Sequence, residues 1–191
     1  MKAVILNGEL DATGILDPVA TILEDEIRAF PGEVESIRLS ERDIKTCIGC
    51  FRCWSTTPGE CFQKDDAPEI VRKAIQSDLL VFLTPLTFGG YSSELKKMIE
   101  RMLGLLQPGM QIHHGETHHI PRYDRYPSLL AIAYAKNPEK EEMEIFQKLG
   151  ERHSLNFYPP FHDTEVFFSD TPGERIREKI GEFLQKMEAG Q

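Results

Sequence analysis

Long hydrophobic runs are missing from this sequence. The longest purely apolar stretches, such as Leu79–Leu83, fall far short of the roughly 20 residues that a membrane helix needs. Positive charge is also scarce, with 22 Lys plus Arg against 31 Asp plus Glu and a formal net charge of −9. That balance argues against a sequence-independent nucleic-acid binder, which needs a basic footprint. It gives no reason to expect attraction to an anionic membrane surface. The N-terminus Met1–Gly8 has one Lys and a very short apolar run, too little for a secretory signal. A cytoplasmic protein with reduced thiols is the expectation. Repeats of fixed period, a dividing linker and an identifiable Ser/His/Asp arrangement are lacking, and no G-x-G-x-x-G follows the first strand. Cysteine is absent everywhere except between Cys47 and Cys61, where all four fall. In a reducing compartment such bunching suggests a metal site or redox chemistry before a disulfide framework.

What is present reads as alternating strands and helices. At roughly 150 residues per domain, the 191 residues form one domain, 1–191, with a polar, Pro-bounded insert at about 108–127. Val4–Leu6, Val34–Leu39, Leu79–Leu83, Leu129–Ala135 and Val166–Phe168 have the apolar character of strands. Helical spacing follows each of the first three, at Leu16–Phe30, at Ile70–Ile75 after a cap at Asp65 or Asp66, and at Leu95–Leu106 after Ser92-Ser93. Two more helices are expected, opened by Asn137-Pro138 and by the capping-box spacing Thr171–Glu174. Five strands alternating with five helices indicate an α/β three-layer sandwich: a parallel sheet in the flavodoxin-like order 2-1-3-4-5 with helices on both faces. Ligands of such sheets bind beyond the carboxyl ends of the strands. The loops that count are therefore Asn7–Leu16, Thr84–Ser93 and Ala135–Asn137, with the cysteine segment on the same edge.

The cysteines read Cys47-x2-Cys50-x2-Cys53-x7-Cys61, with Gly49, Pro58 and Gly59 as turn residues. Two-residue spacers let a turning backbone aim thiolates at neighbouring irons of one cluster. Structural zinc, whose cysteine pairs stand further apart, is less natural. A loop of half-buried free cysteines with no metal is the plain alternative. The second of these loops, Thr84–Ser93, offers Pro85, Leu86 and Phe88 as an apolar platform for a planar ring. Thr87 and the backbone N–H groups of Phe88 and Gly89 are its donors, and Gly89-Gly90 permits close backbone approach.

The cysteine pattern, followed by Asp65-Asp66, resembles the compact motif of the iron–sulfur flavoproteins within the flavodoxin-like NAD(P)H-dependent FMN reductase superfamily. Thr84-Pro85-Leu86-Thr87-Phe88-Gly89-Gly90-Tyr91-Ser92-Ser93-Glu94-Leu95-Lys96 resembles that family's flavin-ring loop and the helix after it. The likeness covers roughly the first 110 residues. It implies a non-covalent FMN, NAD(P)H as co-substrate, a small-molecule or protein electron acceptor, and a homodimer or larger assembly such as a tetramer. In the cluster-bearing branch it implies one [4Fe-4S] on Cys47, Cys50, Cys53 and Cys61. Candidate cofactor contacts are Asn7, Gly8, Thr13, Gly14, Pro85, Leu86, Thr87, Phe88, Gly89 and Tyr134. No acid–base side chain is required, and none is named as catalytic, because the cofactor carries the chemistry.

The first loop departs from the family pattern. Glu9 stands where a serine is expected, Asp11 at the place of an arginine, and Asp17 near the helix-opening hydroxyl. Carboxylates there oppose a phosphate. A flavodoxin-fold binding or scaffold protein that has lost FMN is therefore the alternative reading. In the insert, His113, His114, His118 and His119 show no pattern that fixes their rings on one face, and the segment reads as a mobile lid or dimer-contact loop. Arg122, Tyr123, Arg125 and Tyr126 can serve as phosphate contacts or as a solvated loop. Trp54 is expected beside the cysteines.

Overall fold

The computed structural model describes residues 1–190 except Ala12 and Pro31. Its main sheet is parallel and five-stranded. β1 (Lys2–Asn7) is flanked by β2 (Glu33–Arg38) and β3 (Leu79–Pro85). Beyond β3 lie β6 (Ser128–Ala135) and, at the edge, β7 (His162–Phe168). Between β3 and β6 the chain forms a separate antiparallel pair, β4 (Leu106–His113) and β5 (Glu116–Pro121). Leaving that pair aside, the order is 2-1-3-4-5, as the alternation of elements required.

Burial explains the order. β3 and β6 are buried over six consecutive residues each, five of them apolar, because helices cover both of their faces. Side chains alternate between two cores. Val4, Leu6, Leu80 and Phe82 face the layer of α3 (Ala67–Ile75), α4 (Ser93–Arg101) and α5 (Lys140–Phe157). Ala3, Ile5, Leu79, Val81 and Leu83 face α1 (Asp17–Ala29) and α6 (Gly173–Ala189). Each such Leu, Val or Ile contributes roughly 1.5–3 kcal/mol by leaving water. α4 starts where Ser92 accepts the Leu95 N–H at 3.3 Å, and it buries Leu95, Met98 and Ile99 along one stripe.

Asp65 and Asp66 share the start of α3: Asp66 stands at the cap with its carbonyl accepting the Ile70 N–H at 3.2 Å, and the Asp65 carboxylate accepts the Ala67 N–H at 3.2 Å. Two local expectations are corrected. α5 begins at Lys140 through a capping box of Glu139 and Glu142, not at Asn137-Pro138. Thr171 bonds back to the Phe168 N–H while Pro172 takes the cap of α6.

The insert is a hairpin, not a loop. His114 and Gly115 both have positive φ, 51° and 79°, between the paired residues His113 and Glu116. That is the requirement of a two-residue turn of the primed kind. Alternation along β5 then turns His118 towards Asn156 of α5 and His119 towards Trp54. Arg122 is a staple rather than a free phosphate contact: its guanidinium bonds the Gly104 and Leu106 carbonyls at 2.7 and 3.1 Å. Tyr126 is buried and donates to the Leu105 carbonyl, and Arg125 pairs with Asp78.

Candidate functional site

The carboxyl ends of β1 and β3 are bolted together. Gly8 N–H donates to the Leu83 carbonyl at 2.8 Å, and Ser92 Oγ donates to the Gly8 carbonyl at 2.5 Å. Thr84 Oγ1 accepts the Ser92 N–H at 2.9 Å. Gly8 is demanded by this junction, since a Cβ there would lie 2.7 Å from both Leu95 Cβ and Ser92 Oγ.

Between these anchors the chain makes a tight turn at Thr87–Gly90. Thr87 and Gly90 exchange both backbone bonds, at 3.1 and 2.9 Å. Phe88 and Gly89 fill its centre with φ of 49° and 73°. Positive φ suits glycine, but a bulky aromatic in that region is strained. Phe88 is also 93% exposed, so its ring has no packing to offset the strain. Gly89 is pressed against α5, where a Cβ would meet Ile145 at 2.8 Å. Pro85 and Leu86 continue β3, and the Leu86 N–H donates to the Tyr134 carbonyl at 2.8 Å. Pro85, Leu86, Thr87, Phe88, Gly89 and Tyr134 thus come together at one edge of the sheet. The Tyr134 side chain packs onto the α1/α6 core.

The first loop is organised around Glu9. Its carboxylate is buried, accepting the Ile15 N–H at 2.6 Å, the Thr13 hydroxyl at 3.1 Å and the Arg38 guanidinium at 2.8 Å. Asn7 Oδ1 accepts the Glu9 N–H at 2.9 Å. Arg38 also reaches Asp17 at 2.9 Å, whereas Asp11 is exposed. Gly14, with φ of 72°, closes the turn into α1 by accepting the Asp17 N–H. Arg38 escaped the reading of the sequence. The signal for it was its register: it pairs with Asn7 at the carboxyl end of the neighbouring strand. As the loop stands, Thr13 and the turn N–H serve Glu9 rather than a ligand, so a flavin phosphate does not fit it.

The cysteine segment runs from β2 to α3 and includes the single-turn helix α2 (Arg52–Ser55). Gly49 and Gly59 take positive φ, 64° and 88°, as turn residues there should. Trp54 donates to the Leu103 carbonyl at 3.1 Å and stacks on Phe51. All four thiols are free, with Cys50 the most exposed. Burial pushes the Cys53 thiol up, and the neighbouring Cys61, Cys47 and Cys50 add to the effect. The four are therefore electrostatic neighbours. Yet among the described residues no three His, Cys, Asp or Glu side chains stand close enough to hold one metal ion. That describes a single shared ion, whereas a cluster takes its four thiolates on different irons.

A cleft of about 490 Å³ lies between this segment, α4 and α5, lined by Cys47, Ile99, Leu105, His119, His153 and Phe157. His153 stacks on Tyr91 and bonds its hydroxyl at 3.1 Å. Burial, helped by the charge of Lys96, pushes the His153 imidazole down to about 4.

Taken together, the parallel sheet, its helix layers and the loops gathered at its carboxyl edge define a flavodoxin-like α/β protein. Residues 1–115 match the family model of the NADPH-dependent FMN reductases, and the chain belongs to that family. It is similar to an iron-sulfur flavoprotein of Archaeoglobus fulgidus, 34% identical over 101 residues, which is 53% of this chain and 48% of that one. An iron-sulfur flavoprotein of Methanocaldococcus jannaschii is 36% identical over 69 residues, 36% of this chain and 35% of its own. The chain thus spans about half the length, or less, of the curated relatives it matches. Among solved structures, the NAD(P)H:quinone oxidoreductase of Methanothermobacter marburgensis superposes with a TM-score of 0.65 at 16% identity, covering 100% of this chain and 97% of that one. An NADH:FMN oxidoreductase in its apo form gives 0.64 at 12% identity, covering 98% and 88%. These last two establish the fold. Among the described residues no helix is long and apolar enough to cross a membrane.

Proposed function

We propose that the chain is a flavin-dependent oxidoreductase that takes electrons from NAD(P)H and passes them to an acceptor, with FMN as the flavin its family implies. The turn Thr87–Gly90 carries this reading. It holds an aromatic ring in a strained, fully exposed position at the ligand edge of the sheet, within the residues that match the reductase family. Strain of this kind persists only where the surrounding structure enforces it, and it concentrates at functional sites.

A bound flavin supplies the hydride and electron chemistry. The chain's own work is placement. Pro85, Leu86 and Phe88 offer the apolar platform, and the N–H groups of Phe88 and Gly89 lie outside the pair of bonds that closes the turn. Ser92, Thr84 and Gly8 lock that turn to β1. Cys47, Cys50, Cys53 and Cys61 are proposed as the ligands of an iron–sulfur cluster of the kind for which the curated relatives are named.

The test is spectroscopic and kinetic. Protein purified without oxygen, then titrated with FMN, is expected to quench flavin fluorescence and to oxidise NADH or NADPH with a quinone or free flavin as acceptor. Iron analysis of the same sample reports on the cysteines. A colourless protein that ignores added flavin and oxidises neither nicotinamide returns the reading to a scaffold.

A further inference from the structure

The donors that a ligand phosphate seeks are assembled ahead of α1, and a side chain of the protein already occupies them. Glu9 Oε1 accepts the Ile15 N–H at 2.6 Å and the Thr13 hydroxyl at 3.1 Å. Its Oε2 accepts Arg38 Nη1 at 2.8 Å. A backbone N–H before a helix, a hydroxyl and a guanidinium are the donor types by which proteins hold phosphate oxygens. Here they converge on a carboxylate that is 1% exposed. Arg38 has no reserve to offer, since its Nη2 is bonded to Asp17 at 2.9 Å. The seat also lies where a flavin tail would need it. Glu9 follows Gly8, whose carbonyl is bonded by Ser92 at the end of the ring loop. A phosphate arriving there meets a like charge with its donors spent, and like charges at that separation repel.

We infer that Glu9 is a built-in occupant of the phosphate seat and sets the flavin specificity of the site. The protein takes a flavin by its ring alone, gains nothing from the terminal phosphate, and holds FMN no more tightly than riboflavin, as an exchangeable ligand. The inference rests on the flavin reading for the ring, but the seat can be probed without any flavin. Arg38 belongs to the same device: it neutralises Glu9 within the fold, and it becomes the phosphate's partner once the carboxylate is gone.

The experiment compares dissociation constants of riboflavin and FMN, by fluorescence quenching, for the wild type, Glu9→Ser and Glu9→Gln. The ratio of the two constants cancels any general loosening of the loop. The wild type is expected to give a ratio near unity. Glu9→Ser frees the three donors and shifts the ratio towards FMN by at least about tenfold, the scale of one charge-assisted contact set. Glu9→Gln removes the charge but keeps the volume, and falls between. Millimolar inorganic phosphate is expected to raise the melting temperature of Glu9→Ser and to leave the wild type where it was. A wild type that already prefers FMN by tenfold or more overturns the inference with no variant needed, which covers the case of a variant that does not fold. An unchanged ratio in both variants, with flavin bound, overturns it too while leaving the flavin reading intact. If no protein binds either flavin but phosphate still stabilises Glu9→Ser, the seat stands and the flavin reading is what fails.

Discussion

Arg101 and Asp65 meet in a two-pronged ion pair with both side chains at 0% exposure, Nη1 to Oδ2 at 2.6 Å and Nη2 to Oδ1 at 2.9 Å. Asp65 also accepts the Lys45 N–H at 2.9 Å, and Arg101 donates to the Lys45 carbonyl at 2.6 Å. The pair therefore pins both ends of the cysteine segment to α4. Cys61 is among the groups that favour the charged guanidinium, so the clamp is electrostatically coupled to the cysteines.

Removing one partner strands the other as a buried charge, which costs about 3–5 kcal/mol. Arg101→Met is expected to lower stability by that amount in urea. The double variant Arg101→Met, Asp65→Leu recovers most of it, because an apolar pair can replace a buried ion pair. Reaction of the four cysteines with a thiol reagent should quicken in the single variant as the segment loosens. A loss under about 1 kcal/mol, the ceiling for exposed pairs, would mean the clamp is solvated.

Gly8 and Gly181 should answer an added methyl group with opposite signs. At Gly8 the new Cβ would stand 2.7 Å from Leu95 Cβ and Ser92 Oγ, neither of which is a flexible chain end. Gly8→Ala is expected to cost about 1–3 kcal/mol as overpacking and to prise β1 from the ring loop. Gly181 lies inside α6 with its nearest neighbour at 4.0 Å. Gly181→Ala should therefore gain roughly 0.5–1 kcal/mol from helix propensity alone. Thermal melts of the two variants decide the matter, and equal signs would contradict the packing at the junction.

The sheet was legible because its signals are local and redundant: Leu79–Leu83 and Leu129–Ala135 are apolar throughout, and the helix of Leu95, Met98 and Ile99 keeps its period and its Ser92 cap. The hairpin was not, because its strands are polar and its turn pair, His114-Gly115, is not one of the Asn-Gly, Asp-Gly or Gly-Gly pairs that signal a two-residue turn. The acids of the first loop were visible as an anomaly but not as a solution. Glu9 is neutralised by Arg38, which is 29 residues away in the chain. Only the pairing of β1 with β2 brings them together. The cysteine spacing was legible as a pattern, whereas its arrangement in space is set by Arg101, Asp65 and Gly104. Gly104 sits so close that a Cβ there would be 3.0 Å from the Gly59 carbonyl.

His153 makes stability fall with acid. Burial holds its imidazole neutral, with a folded value of about 4 against an ordinary 6.5. The unfolded chain binds the proton first, so this contribution is complete above pH 6.5 and is lost as pH falls towards 4. At about 1.36 kcal/mol per unit, the loss approaches 3 kcal/mol. Asp65 adds slope in the same direction lower down. Burial lifts its carboxyl, but the bonds from Arg101 and the Lys45 N–H outweigh that and hold it below the usual range. Urea midpoints at pH 7 and pH 4.5 should differ clearly in the wild type. They should differ much less in His153→Phe, which keeps the stack on Tyr91 without the titrating group. An equal drop in both proteins would show that His153 is not the source.

Phe88 separates stability from function most sharply. It occupies the first central position of a turn whose two centres have φ of 49° and 73°. Asn-Gly is the pair such turns prefer, because Asn tolerates the left-handed region that an aromatic resists. Phe88→Asn therefore keeps Gly89, relieves the strain and removes a ring that is 93% exposed, so nothing of the packed core is lost. The fold should gain about 1 kcal/mol, read as a higher urea midpoint. If the ring is there to meet a flavin, the same change weakens flavin binding by about tenfold or more, since aromatic contact is worth roughly 0.5–1.5 kcal/mol beyond the area it covers. A variant that is both more stable and a poorer flavin binder identifies Phe88 as a residue kept for its ligand against its own backbone preference. A variant that is more stable and binds flavin as well as before makes the turn an ordinary bend, and moves the search for the ring's platform to Pro85 and Leu86.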